Sequence, residues 1–167
     1  MGNGYIGERH SYVGMRGPAA QEAVQKDKEQ SLEEYPTKPR VFISFHMNDE
    51  EQVNLLRYQG GNSDQLEFTD YSVKEPFDEK WKAQCTERIR QSSVVVVAIG
   101  EDTHQRPAVL WEIETAHKLG KPVIGMRIYG DKNHKIPQPM LDHGDKVVEW
   151  KLDKLQGEID RARGVAA

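Results

Sequence analysis

The residue best placed to do chemistry is Glu112, because it lies on the apolar side of a predicted helix. Residues 107–119 are predicted to form this helix, which begins at a proline and stops before Gly120. At about 100° per residue, Glu112 falls within an arc of four apolar side chains, which are Val109, Ile113, Ala116 and Leu119. A carboxylate on the core side of a helix is unfavourable unless a partner satisfies it or a reaction uses it. The sequence therefore marks Glu112 as a candidate catalytic group.

A plainer interpretation of Glu112 is structural. Negative charge near the start of a helix is favoured by the helix dipole, so this carboxylate could simply accept a hydrogen bond there. Glu114 and Lys118 of the same helix point towards water. They are ordinary surface charges and carry no such ambiguity.

The segments around Glu112 alternate between predicted strands and predicted helices. Such alternation is typical of a parallel sheet with helices on both faces. We therefore expect an α/β protein with a flavodoxin-like, three-layer α/β/α sandwich. Five strands and a closing helix are predicted over residues 41–45, 66–68, 94–99, 123–129 and 147–150, with the helix over residues 152–162.

Two further helices are predicted between the first and the third strand of the chain. Asn48 is expected to cap the helix after the first strand, with Glu51 as its capping-box partner. The helix before the third strand has a packing face at i+4 spacing, formed by Phe77, Trp81, Cys85 and Ile89. Residues 130–144 are predicted to be a loop, because Pro137 and Pro139 interrupt them.

The expected strand order places Glu112 close to a ligand site. The common order for about five such strands is 2-1-3-4-5, and ligands bind where the order reverses, between strands 1 and 3. Residues 44–48 and 100–106 follow these two strands and flank that crevice. The second segment leads directly into the helix that carries Glu112.

Composition and charge exclude several classes of function. The chain has 167 residues, of which 37% are hydrophobic and 30% charged, with a net charge of −4 and a pI of about 5.9. This balance argues against attachment to nucleic acid or to an acidic membrane by charge. The single cysteine excludes an internal disulfide, and the six histidines show no metal-ligand spacing. With no signal-peptide core and no membrane-length apolar run, we expect a cytoplasmic protein.

The chain is expected to divide near residue 38. Residues 1–38 are predicted to be a flexible leader, in which residues 18–35 form either a surface helix or a disordered arm. The compact domain is expected to span residues 39–167. Glycine is frequent in the first part of the leader, and the later part has only a thin apolar stripe of Ala20, Val24 and Leu32.

Five short motifs, found in the same order as in the family, give the domain a resemblance to Toll/interleukin-1 receptor (TIR) domains. The similarity is greatest to the bacterial TIR-like branch found in Thoeris antiphage systems, and it covers residues 40–129. The motifs are residues 41–50 (VFISFHMNDE), 68–72 (FTDYS), 89–92 (IRQS), 99–103 (IGEDT), and 111–113 (WEI) through 120–122 (GKP).

The resemblance implies cleavage of NAD, with Glu112 matching the glutamate that such TIR domains use on the helix after the third strand. Many relatives carry an aromatic residue four positions earlier, where this chain has Ala108. The nicotinamide of NAD is a cationic leaving group that needs no general acid, so one carboxylate can replace the usual glycosidase pair. That carboxylate would stabilise the oxocarbenium-like transition state and hold the ribose hydroxyls.

The resemblance also implies residues that bind the substrate. Ser44, Phe45 and His46 lie where the ribose or nicotinamide would be, although the first two could be core residues and His46 an exposed turn residue. Thr103 is expected to position phosphate or ribose, or else to cap its loop. Trp111 points away from the apolar arc, where a stacking or interface role competes with helix packing.

Asp70 and Ser72 begin the loop after the second strand, which in TIR domains gates the site or joins neighbouring chains. For Asp70 an Asx-turn is an equal alternative. The loop makes a homo-oligomer the expected active form.

We thus expect a TIR-like hydrolase of N-glycosyl bonds, an NAD nucleosidase or ADP-ribosyl cyclase, acting in antiviral signalling. It would release ADP-ribose, or a cyclic or modified form that signals to a separate effector protein, and a phage-derived activator could trigger it. NAD would be the substrate, with no other cofactor, no metal, no nucleic acid and no membrane. The alternatives are a non-catalytic TIR-like adaptor that acts by self-association and a nucleoside deoxyribosyltransferase-like enzyme.

Overall fold

A five-stranded parallel sheet forms the centre of the domain, in a computed structural model that describes residues 38–61, 66–68 and 78–164. The strand order is β2-β1-β3-β4-β5, and every neighbouring pair is parallel, which confirms the expected topology. The strands are β1 (Arg40–Ser44), β2 (Glu67–Phe68), β3 (Val94–Ile99), β4 (Val123–Arg127) and β5 (Lys146–Glu149).

Five helices are found in the described part of the chain, on both faces of the sheet. They are α1 (Glu50–Gly61), α2 (Glu79–Gln91), α3 (Pro107–Lys118), α4 (Gln138–His143) and α5 (Leu152–Ala162). Helices α1 and α5 pack on one face, where they bury Val53, Leu56, Leu155 and Ile159. Helices α2, α3 and α4 pack on the other face, which confirms the three-layer sandwich.

Strand β3 lies at the centre because its side chains are apolar on both faces. All six of its residues are buried, as in strands covered by helices on both sides. Strand β1 pairs with it from Val41 to Ser44. The carboxyl ends of β1 and β3 therefore meet at one edge of the sheet, which is the edge where the sequence places the crevice.

Helix α3 has the boundaries that its sequence indicates. Pro107 occupies the first turn, where its missing N–H group is not needed. Gly120 has a φ of +69°, a left-handed conformation that glycine adopts without strain. The helix buries Val109, Ile113 and Ala116 together with Glu112. The apolar arc predicted from the sequence is therefore the face that packs on the sheet.

Two local predictions are wrong. Helix α4 lies within the segment predicted to be a loop; Pro137 precedes the helix and Pro139 is in its first turn, where proline is tolerated. Asn48 does not cap α1, because it lies inside the 3-10 turn Met47–Asp49 that leads into that helix. The neighbouring side chain of Asp49 is buried instead and bonds within the domain.

Several expectations fall on residues outside the described ranges. The predicted leader, except for its last residue, and the loop that contains Asp70 and Ser72 belong to this group. Among the helices of the described residues, none has the length and apolar character required to cross a membrane.

Candidate active site around Glu112

The carboxyl group of Glu112 is enclosed in the protein interior. Glu112 is 1% exposed on the face of α3 that packs against the sheet. Burial raises the pKa of Glu112 from 4.5 to about 8, and the nearby hydroxyl of Ser44 acts in the opposite direction. Glu112 is therefore mostly protonated at neutral pH while nothing cationic is bound beside it.

Neither carboxyl oxygen of Glu112 makes a hydrogen bond to the described residues, and Ser44 Oγ makes none either. Ser44 lies close enough to influence the carboxyl without completing a bond to it. Buried polar groups in folded proteins are normally paired, so these unpaired atoms require an explanation. In the structural interpretation of Glu112, the Ser44 hydroxyl is the described group that acts on the carboxyl as a hydrogen-bond donor, and it falls outside hydrogen-bonding geometry.

Successive side chains along β1 point to opposite faces of the sheet. Ser44 therefore lies on the face of Glu112, and Phe45 lies on the other face. Phe45 belongs to the core on the opposite face of the sheet, where Val53 and Leu56 of α1 also lie. The guanidinium carbon of Arg57 is 5.5 Å from the centre of the Phe45 ring. The two neighbouring site candidates thus serve different faces, and the described structure brings only Ser44 to the carboxyl.

His46 marks the rim of the crevice. Its pKa is lowered, first by burial and then by the charge of Arg106, against the opposing effects of Asp49 and Asp102. The lowered pKa favours the neutral imidazole, and its Nε2 atom is buried without a hydrogen-bond partner among the described residues. The segments after β1 and β3 meet here, as the predicted switch point requires.

Thr103 is held inside the loop that follows β3. Its hydroxyl accepts a 2.8 Å hydrogen bond from the backbone N–H of Gly100 and lies 3.3 Å from the carbonyl of Ala98. The same oxygen is 3.5 Å from a carboxylate oxygen of Asp49. These contacts match the loop-capping alternative for Thr103, since its hydroxyl is already used within the protein.

Asp49 and Tyr129 complete a network that the sequence analysis missed. The hydroxyl of Tyr129 donates a 2.9 Å hydrogen bond to Asp49, which is 5% exposed. A Cβ atom on Gly100 would lie 2.3–2.6 Å from the Asp49 carboxylate, so the glycine is needed for this close approach. The network ties together the segments that follow β1, β3 and β4.

Trp111 packs between helices. Its ring centre lies 5.3 Å from that of Trp81 on α2, at an angle of 55° between the rings. This contact matches the helix-packing alternative for Trp111. On the same helix α2, Cys85 is fully buried, and the charge of Glu112 adds to the effect of burial in raising the pKa of its thiol.

A cationic cavity of about 450 Å³ opens at the same edge of the sheet, beyond the end of β4. Its lining includes Arg127, Lys135, His104 and His134, with no carboxylate among the lining residues. Arg127 donates a 3.0 Å hydrogen bond to the carbonyl of His134, which orients the guanidinium. The sequence analysis did not find this cavity, because seven of its eight lining residues lie within residues 127–141, where only the end of a strand and a loop were predicted.

Within the described ranges of the chain, a group of residues that could hold a metal ion lies at the far end of α3. His117, His143 and Asp145 each offer one ligand atom, and the three atoms lie within 4.8 Å of one another. Sequence spacing gave no indication of this cluster. Its members come from two helices and the turn before β5.

The fold is that of a TIR-like α/β domain. The TIR domain of the Toll-related receptor TRR-2 from Hydra magnipapillata superposes with a TM-score of 0.50 at 16% identity, over 72% of this chain and 91% of that one. The family model for the Thoeris protein ThsB, TIR-like domain, matches residues 42–133, which is over half of the chain. The protein therefore belongs to the ThsB TIR-like family.

Two other solved structures are similar to the chain at lower TM-scores. A conserved protein from Enterococcus faecalis is 15% identical with a TM-score of 0.47, over 75% of this chain and 99% of that one. The CMP N-glycosidase BcmB from Clostridium botulinum is 18% identical with a TM-score of 0.44, over 73% and 98%. No curated protein sequence matches the chain.

Proposed function

We propose that this protein cleaves the nicotinamide–ribose bond of NAD in antiphage signalling, with Glu112 as its catalytic residue. The observation that carries the proposal is a carboxyl group that is 1% exposed and has no hydrogen-bond partner among the described residues. It lies on the helix after the third strand of a ThsB TIR-like domain. Buried groups with perturbed pKa values concentrate at functional sites.

The burial of Glu112 suits the chemistry of a cationic substrate. Departure of neutral nicotinamide leaves positive charge on the ribose carbon, and an ionised carboxylate beside that carbon stabilises it. In a site from which water is excluded, such an interaction is stronger than in bulk water. The positive charge of bound NAD also favours loss of the proton from Glu112. Substrate binding therefore helps to generate the catalytic form.

The cationic cavity suits the diphosphate of the same substrate. NAD carries two phosphate charges, and Arg127 and Lys135 offer matching positive charge without a neighbouring carboxylate in the lining. The apolar side chains of Ile136 and Leu141 supply the rest of a nucleotide-sized wall. Ser44, which acts on Glu112, ends β1, and Arg127, which lines the cavity, ends β4, so both lie at the carboxyl edge of the parallel sheet; this supports one extended ligand.

The proposed product is ADP-ribose or a cyclic or modified ADP-ribose that acts on a separate effector protein. Cyclisation requires that the adenine of the same molecule, rather than water, reaches the cationic ribose carbon. Because Glu112 is 1% exposed, substrate can contact its carboxyl only after the residues that cover it move aside. We therefore propose low basal turnover that increases on self-association or with a phage-derived activator. A turnover per chain that is high and constant across a dilution series would contradict this regulation.

The experiment compares wild type, Glu112→Gln and Glu114→Gln after incubation with NAD, at high protein concentration, with chromatography of the products. Glu114 is exposed on the same helix, so its variant is a matched control for the loss of one carboxylate. Glu112→Gln is expected to lose about 10²–10³-fold in turnover, as on removal of one preorganised group. Glu114→Gln should keep wild-type turnover. Equal NAD turnover of all three proteins would remove Glu112 from the mechanism, whereas no turnover by any of them would favour the non-catalytic adaptor.

A further inference from the structure

Three metal-binding side chains converge at the end of α3 remote from the crevice. His117 Nε2 lies 2.7 Å from Asp145 Oδ2, and the rings of His117 and His143 stack with centres 3.8 Å apart. One ligand atom from each side chain lies within 4.8 Å of the other two. The cluster is separate from Glu112 and its neighbours, so the proposed NAD chemistry does not use it.

The backbone holds the three side chains in place. His117 lies in the last turn of α3 and His143 in the last turn of α4. Gly144 then adopts a left-handed conformation with φ of +75°, and the N–H of Asp145 donates to the carbonyl of Met140 at 3.0 Å. The side chains of His117 and Asp145 are only 14% and 6% exposed. Two of the three potential ligands therefore have little freedom to move apart.

We propose that His117, His143 and Asp145 bind a divalent transition metal, with Zn²⁺ as the best match. Two imidazoles and one carboxylate are a common ligand set for this ion, and a water completes the tetrahedron. Bonds of about 2.0–2.2 Å to N and O place tetrahedral ligand atoms about 3.4 Å apart. The ion would take the place of the proton between His117 and Asp145, and the two atoms would separate slightly.

His143 supplies the adjustment that the geometry requires. A metal ion lies in the plane of each imidazole that binds it, so two nearly parallel rings cannot both point at one ion. His143 is exposed and can tilt out of the stack without disturbing the core. The bound ion would clamp the carboxyl end of α3 to the segment between α4 and β5, which fixes the helix that carries Glu112 from its far end.

The test is calorimetric titration of the full-length, chelator-treated protein with Zn²⁺, and with Co²⁺ as a spectroscopic probe. We expect one equivalent of Zn²⁺ to bind, and the d–d absorption bands of Co²⁺ to show a tetrahedral site. His143→Ala should weaken Zn²⁺ binding by at least about tenfold, since it removes a direct ligand. Because His143 is exposed, this variant is expected to fold normally.

The control is His134→Ala, which removes a histidine outside the cluster and should leave the Zn²⁺ affinity unchanged. His117→Ala and Asp145→Asn should each weaken binding as His143→Ala does. The proposal is overturned if the wild type binds no Zn²⁺ at micromolar concentrations, or if the affinity is the same in the cluster variants and the control. Neither result bears on NAD cleavage, which is measured separately.

Discussion

Replacing Glu112 by Gln is expected to stabilise the protein, and by an amount that increases with pH. The folded protein holds the Glu112 proton more tightly than the unfolded chain, with a pKa of about 8 against 4.5. The stability that this proton confers is complete below pH 4.5, is lost as the pH rises towards 8, and levels off above it. A glutamine of nearly the same size has no proton to lose over this range.

The two pKa values determine how much Glu112→Gln is expected to stabilise the protein. At 1.36 kcal/mol per pKa unit, the difference between 4.5 and about 8 corresponds to about 5 kcal/mol, which is reached above pH 8. At pH 7 the wild type has lost about 3 kcal/mol of this, and below pH 4.5 none of it. Each kcal/mol shifts the melting temperature of a domain of this size by about 2–4 °C. The advantage of Glu112→Gln at pH 7 should therefore be about 6–12 °C.

The assay is thermal unfolding of wild type, Glu112→Gln and Glu114→Gln at a series of pH values from 5 to 9. Other titrating groups are common to all three proteins and cancel in the differences. The Glu114→Gln variant should follow the wild type at each pH, since its side chain is exposed. If the advantage of Glu112→Gln did not increase with pH, the pKa of the carboxyl would not be raised in the folded protein. The argument from burial would then be refuted.

Three further predictions concern the same edge of the sheet. The kcat/KM of the wild type for NAD should rise with pH and level off above about 8, because the proposed mechanism requires an ionised Glu112; a flat profile would oppose this. Gly100→Ala should lower the free energy of unfolding by about 1–3 kcal/mol in chemical denaturation, because the new Cβ would displace Asp49. Gly130→Ala, which has no atom within 4 Å of the new Cβ, should keep the wild-type free energy of unfolding. Arg127→Gln should raise the KM for NAD about tenfold with little change in kcat, and the exposed Lys132→Gln should leave both unchanged; equal kinetics of the two variants would remove the cavity from substrate binding.

Local patterns in the sequence were sufficient to predict the strands of the sheet and the buried position of Glu112. The valine run of β3 and the punctuation of α3 by Pro107 and Gly120 each act within a few residues, so they can be recognised without a structure. The strand order then follows from general rules for parallel sheets. The buried face of α3 is likewise a property of one helix, which is why its arc could be assigned from spacing alone.

Features that depend on distant contacts could not be predicted in this way. The hydrogen bond between Tyr129 and Asp49 joins residues 80 positions apart, and His117 and Asp145 are 28 positions apart. Helix α4 was missed because its prolines resemble those of a loop, and only the packing of Met140 against the core distinguishes the two cases. The separation of Ser44 from Phe45 was readable from strand alternation, but the family resemblance grouped them in one site.

Because Cys85 is buried, the reactivity of its thiol can report how often the protein opens near Glu112. This residue is the only cysteine in the sequence, it is fully buried, and it lies near enough to Glu112 to feel its charge. A thiol reagent can react with it only during excursions that expose the interior between α2 and α3. The rate of Cys85 alkylation in the wild-type protein, followed by mass spectrometry, therefore measures how often this opening occurs. Compared across protein concentrations, the labelling rate would separate opening of the site from the chemical step that follows it.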